Sequence, residues 1–140
     1  MREAGLLQRL AQGERVNDAL DAANLAEEIE SLGRSEKREI SSRLRVLLTH
    51  MLKWQHQPEA RSGSWRGTIR EQRYELEAVL EDSPSLRSIV PERIASAYQR
   101  ALRKAEEETG LPRSAFPAIC PYTPEQVLDL DYLPGDAGLS

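Results

Sequence analysis

Residues 24–57, NLAEEIESLGRSEKREISSRLRVLLTHMLKWQHQ, read as helix almost throughout. The apolar positions run Leu25, Ile29, Leu32, then Ile40, Leu44, Leu47, Leu48, Met51 and Leu52, at the three- and four-residue spacing of one helix face. Gly33 divides the pattern. At 100° per residue, the stripe before it points away from the stripe after it. Two readings follow. Either Gly33 ends one helix and Ser35 caps the next, or one long helix of about 30 residues meets different neighbours along its length, since an interior glycine costs only about 1 kcal/mol. Asp21 is the expected N-cap, and Glu27, Glu28 and Glu30 suit the positive end of the helix. Pro58 closes the stretch, because the residue before a proline avoids the α conformation.

Outward from this segment the punctuation stays helical. Leu6, Leu7 and Leu10 predict a short amphipathic helix over 3–12, with Gly13 as its stop. After the turn RSGS, Ser64 is the expected cap of a helix over 65–81 carrying Ile69, Leu76, Val79 and Leu80 inward. Ser83-Pro84 opens a short helix, and Pro91 starts the main one, 92–109, with Ile94, Ala97, Tyr98, Ala101 and Leu102 inward. Gly110 and Pro112 end it. In the proline-rich tail, Thr123-Pro124-Glu125-Gln126 is a capping box. The fold class is all-α: a bundle of four to six helices with one long or kinked central helix and a proline-rich C-terminal tail. Residues 1–134 are expected to form a single helical domain, and 135–140 a disordered tail.

Composition agrees. Among 140 residues the apolar set is dominated by Leu, Ala and Ile, and Phe occurs once, which favours helix over strand. That length buries about 65–70% of the unfolded chain's surface without a staple. The single cysteine, Cys120, cannot form an intrachain disulfide, fits a reducing compartment, and reads as a buried or idle thiol. No apolar run reaches the roughly 18 residues of a membrane helix, and the N-terminus has no signal-peptide core. A cytoplasmic, soluble protein without membrane contact is expected. The net charge of −4 conceals a segregation: residues 34–73 hold ten basic and four acidic side chains. Such a segment suits a polyanion, an internal partner or a second copy of the chain.

The pieces NLAEEIESLG (24–33), RVLLTHMLKWQHQP (45–58), SWRGTIREQR (64–73), EDSPSL (81–86), ETGLP (108–112) and FPAICPYTPEQVL (116–128) resemble the bacterial family called domain of unknown function twenty-nine. The resemblance spans most of the chain in the right order. It implies a small all-helical protein of bacterial origin and no established reaction. One departure stands out. Relatives usually begin with an aromatic-rich helix of the type Tyr-x-x-Asp-Phe-Tyr-x-Trp and enter the next helix through Asp-Trp-Glu-Asn. Here that entry is Asp21-Ala22-Ala23-Asn24, with alanine at the tryptophan position. Either the start is placed late or this branch has lost the aromatics.

Two constellations carry chemical interest. Glu27, Glu28, Glu30, His50 and His56 are metal-ligand types, but the chain has no Glu-x-x-His pair of the di-metal bundles. On a continuous helix Glu27 and His50 stand roughly 35 Å apart. No metal and no cofactor is expected. The second is a candidate interaction patch: His50, Lys53 and Trp54 on one ridge, with Trp65, Arg66, Arg70 and Arg73 on the next helix. Aromatic faces and guanidinium groups could hold carboxylates or phosphates. Alternatively, the two tryptophans close the end of the core while the arginines lie over it. There is no phosphate loop, catalytic triad or zinc-type spacing. Arg34, Lys37, Arg38, Arg43 and Arg45 are too evenly mixed with Glu and Ser to mark a nucleic-acid helix. The leading functional expectation is a protein-interaction module that takes a protein partner or self-associates. The alternatives are a nucleic-acid-associated protein that binds weakly through 34–73, and an enzyme with an unrecognised site.

Overall fold

The computed structural model describes residues 15–135, and among these the fold is all helical, with no strand. The helix expected over 3–12, its Gly13 stop, and the tail beyond Gly135 lie outside the described residues. Among the described residues there are four α-helices: α1 Arg15–His56, α2 Gly63–Asp82, α3 Val90–Thr109 and α4 Pro124–Leu128. Short 3-10 segments at Pro58–Ala60, Pro84–Ile89 and Arg113–Ala115 connect them.

The Gly33 question resolves in favour of the long helix, which is longer than expected at 42 residues. Asp21 is therefore interior rather than an N-cap, because the helix already begins at Arg15. A Cβ at Gly33 would meet nothing within 4 Å, so no close approach accounts for the glycine there. Backbone contacts group the chain into two units, Met1–Glu36 and Lys37–Ser140. In the first, residues 22–27 are exposed, Leu25 is 46% exposed, and Arg34 pairs with Glu30 one turn back.

The second unit holds the core. On α1 the buried apolar positions among the described residues are Ile40, Leu44, Leu47, Leu48, Met51, Leu52 and Trp54, a stripe wide enough to face two neighbours. Ile69, Leu76, Val79 and Leu80 of α2 and Ile94, Ala97, Tyr98, Ala101, Leu102 and Ala105 of α3 complete it. Direction follows from contacts. Arg43 reaches Gln72 and Glu75, while Lys53 lies over Trp65 and Arg66 over Trp54, so α2 runs antiparallel to α1. Ser41 meets Arg93 and Lys53 meets Glu108, so α3 runs parallel to it.

Local chemistry sets the boundaries. The cap of α2 is Ser62, not Ser64: its extended backbone lets the hydroxyl accept from Trp65 N, and its carbonyl accepts from Arg66 N. The segment after Ser83 is 3-10 rather than α, with Leu86 turned into the core. Helix α3 starts at Val90, placing Pro91 in the first turn, where no amide hydrogen is required. It ends at Gly110, whose φ of 74° is the left-handed geometry that glycine adopts without a Cβ clash. The tail then crosses the bundle. Phe116, Tyr122 and Val127 are buried, Tyr98 Oη donates to Pro117 O at 2.6 Å, and Tyr122 Oη to Gln55 Oε1 at 2.7 Å. The expected capping box is present in full between Thr123 and Gln126.

Candidate functional site

The seven residues of the candidate patch sit on the antiparallel pair α1 and α2, and the structure sorts them into three groups. The first is a pair of guanidinium groups over Trp54. This ring is only 7% exposed. The Arg61 guanidinium lies 5.0 Å and the Arg66 guanidinium 5.4 Å from its centroid. Arg61 also donates through Nε to Trp54 O at 2.6 Å, satisfying a carbonyl that the end of α1 leaves without an amide. Arg61 was not among the expected patch residues; it lies in the turn, and its role depends on Pro58 folding that turn back over α1.

The second group is Lys53, Trp65 and Glu108. Lys53 Nζ stands 4.7 Å over the Trp65 ring and 2.8 Å from Glu108 Oε1. That hydrogen bond holds the Glu108 carboxyl below the usual glutamate range. Glu108 also pairs with Lys104 at 3.5 Å. These pairs are partly solvated and contribute about 0.2–1 kcal/mol each. His50, one turn earlier, hydrogen-bonds through Nδ1 to Val46 O at 2.9 Å. A carbonyl only accepts, so the proton of the neutral ring is on Nδ1. Burial first, and Lys53 in addition, lower the His50 pKa against the opposing backbone bond and Glu108.

The third group belongs to the tail. Arg70 pairs with Asp131 at 3.2 Å. Arg73 is 1% exposed and is not a surface residue at all. Its guanidinium donates to three tail carbonyls, Val127 at 2.8 Å, Tyr132 at 2.6 Å and Gln126 at 3.1 Å, and approaches Met51 Sδ at 3.8 Å. Burial lowers its pKa, with Asp129 the chief opposing charge. The sequence did carry a signal: Ile69, Arg73, Leu76 and Leu80 lie on one helical stripe. A cavity of about 210 Å³ between α2 and the tail is lined by Arg66, Arg70, Arg73 and Asp131.

Among the described residues no group of three His, Cys, Asp or Glu side chains gathers as a metal site. His56 packs edge-on to Phe116 with centroids 5.0 Å apart, and its Nε2 is buried without a hydrogen bond. Burial lowers its pKa. Cys120 is half-buried, its thiol pushed up by burial and directed at Tyr122 O. No helix among the described residues is long and apolar enough to cross a membrane.

Both histidines therefore favour the neutral ring in the folded state. In the unfolded chain they take up protons near pH 6.5, before the folded protein does. Their contribution is complete above pH 6.5 and is lost as pH falls from there through the lowered folded values. The urea midpoint is expected to fall between pH 7.5 and 5.5. Replacing both by Gln should flatten that slope, as read by urea melts at the two pH values; an unchanged slope would place its origin elsewhere.

These features describe a small all-helical protein in which aromatic, cationic and tail groups lock the end of a bundle. The family described as Domain of unknown function DUF29 matches residues 6–133, and the chain belongs to it. No curated protein and no solved structure matches the chain.

Proposed function

We propose that the protein is a small interaction module of the bacterial cytoplasm that self-associates through the N-terminal part of α1. The carrying observation is that, among the residues of α1 whose burial is described, none before Ile40 lies in the core, and Leu25 is left 46% exposed. A solvated helix gains little stability from propensity alone and is held mainly by burying an apolar face. The charge order in the sequence suits a second copy. In an antiparallel pair centred on Leu32, Glu27 and Glu30 of one copy face Lys37 and Arg34 of the other. The single domain expected over residues 1–134 stays part of this reading, with α1 continuing from one contact unit into the other.

The expected result is a dimer mass in light scattering at high concentration. Leu25→Glu should shift it to the monomer mass with the circular dichroism spectrum retained. A monomer mass for the natural sequence at all concentrations would remove self-association. The alternative of a nucleic-acid-associated protein using residues 34–73 draws less support. Arg43, Arg70 and Arg73 of that segment are engaged within the chain, and Arg61 and Arg66 lie over Trp54. An enzymatic reading has no converged set of reactive groups behind it among the described residues.

A further inference from the structure

We propose that the groove between α1 and α3 is a binding site for a compact di- or triphosphate group. The two helices run in parallel and present matching faces to each other. On α1, Arg38, Ser41, Ser42 and Arg45 fall at relative positions 0, 3, 4 and 7; on α3, Arg93, Ser96 and Arg100 fall at 0, 3 and 7. Together with the small Ala97 they enclose a cavity of about 370 Å³. A second cavity of about 390 Å³ continues past Arg45 and Arg100 to Arg103 and Lys104. Six cations thus line the two cavities against one lining carboxylate, Glu107. All of these residues lie within the second contact unit, so the site does not depend on self-association.

The charge state of this groove is unlike that of the neighbouring surface. Arg43, on the same helix, pairs with Glu39 at 2.9 Å and Glu75 at 3.5 Å. Arg38, Arg45, Arg100 and Arg103 form no ion pair with any other described residue. Arg93 is held within the groove by Nη1 donating to Ser41 Oγ at 3.4 Å, while its Nε is shielded from solvent and makes no hydrogen bond. Glu92 stands 4.0 Å from that nitrogen, beyond hydrogen-bond reach. Like charges gathered in a concavity raise each other's energy, and an anion seated among them relieves it.

The donor set selects phosphate. Guanidinium forks from two facing helices give paired N–H groups that match phosphate oxygens bidentately, and the Ser41 and Ser42 hydroxyls add donors between them. One carboxylate ligand would leave most of these donors unused. The extent also matters: from Arg93 to Lys104 the helix rises through 11 residue steps, roughly 16 Å, room for two or three linked phosphates. A nucleic-acid strand fits less well. No aromatic ring lines the groove to stack a base, and the chain as a whole carries a net charge of −4, which disfavours a long polyanion.

The test is calorimetric titration of the full chain with sodium tripolyphosphate at low and moderate salt, beside sulfate and a short single-stranded RNA. Arg45 and Arg100 are exposed, so Arg45→Ala/Arg100→Ala should fold, as circular dichroism checks. Tripolyphosphate should bind more tightly than sulfate or RNA. The double variant should weaken it at least about tenfold, since each lost charge-assisted contact is worth that much or more, while Arg113→Ala, away from the groove, should leave it unchanged. Absence of tripolyphosphate binding at low salt would overturn the proposal. So would equal weakening by Arg113→Ala, which would mean diffuse charge, or RNA binding more tightly than tripolyphosphate at moderate salt, which would make the groove a nucleic-acid site.

Discussion

Replacing Arg73 by alanine is expected to destabilise the protein by about 3 kcal/mol or more and to release the tail. The guanidinium is buried and donates to the carbonyls of Gln126, Val127 and Tyr132. A hydrogen bond to a charged group contributes about 1.5–3 kcal/mol, and buried acceptors left without a donor add their own cost. The three bonds are not additive, which keeps the expected total below their simple sum. Urea melts measure the loss. Hydrogen exchange locates it, with faster exchange at residues 124–133 than in α3. Arg73→Met keeps the apolar stem beside Met51 and should recover packing without recovering tail protection. Arg73→Lys should recover part of the stability, because one ammonium cannot reproduce the planar fork that meets three carbonyls. A loss below about 0.5 kcal/mol for Arg73→Ala, the range of an ordinary surface change, would show that solvent replaces those bonds and that the tail is held by Phe116, Tyr122 and Val127 alone.

Arg73 also shows where sequence reading stops. The stripe Ile69, Arg73, Leu76, Leu80 places the arginine on the core side of α2, but whether a cation there is buried depends on carbonyls more than 50 residues further along. Periodicity carries no information about such partners, and by residue type alone the arginine groups with the surface cations. The basic groove was hidden for a related reason. Arg38 and Arg45 fall in the basic segment, whereas Arg93 and Arg100 lie beyond it, and only the parallel docking of α3 on α1 brings them together. Local signals fared better. The Thr123 capping box, the Gly110 stop and the inward sets of α2 and α3 are each decided within one or two helical turns, and all are present. Ser62 and Ser64, two residues apart, offer the same hydroxyl, so the sequence does not distinguish them as caps. Only the 3-10 turn at Pro58–Ala60 determines which is extended when α2 begins.

The two halves of α1 give the sharpest contrast between pattern and burial. Leu25 and Leu48 both belong to the apolar spacing of α1, on stripes that face different ways; Leu48 is fully buried and Leu25 is 46% exposed. Leu48→Ala removes a side chain packed where α1 meets α2 and α3, and the cavity it leaves can collapse only partly against Leu44, Met51 and their neighbours. The expected loss is about 2–5 kcal/mol, the transfer and cavity terms together. Leu25→Ala should change stability by less than about 0.5 kcal/mol in dilute solution, and alanine's helix propensity slightly favours the substitution. Urea midpoints of the two variants at low and high protein concentration separate the possibilities. At low concentration only Leu48→Ala should move. A loss for Leu25→Ala that appears only as concentration rises would mark Leu25 as buried by association, since binding stabilises the folded state by mass action. A large loss at every concentration would instead mean that Leu25 is covered within the single chain, and that the core extends along α1 well before Ile40.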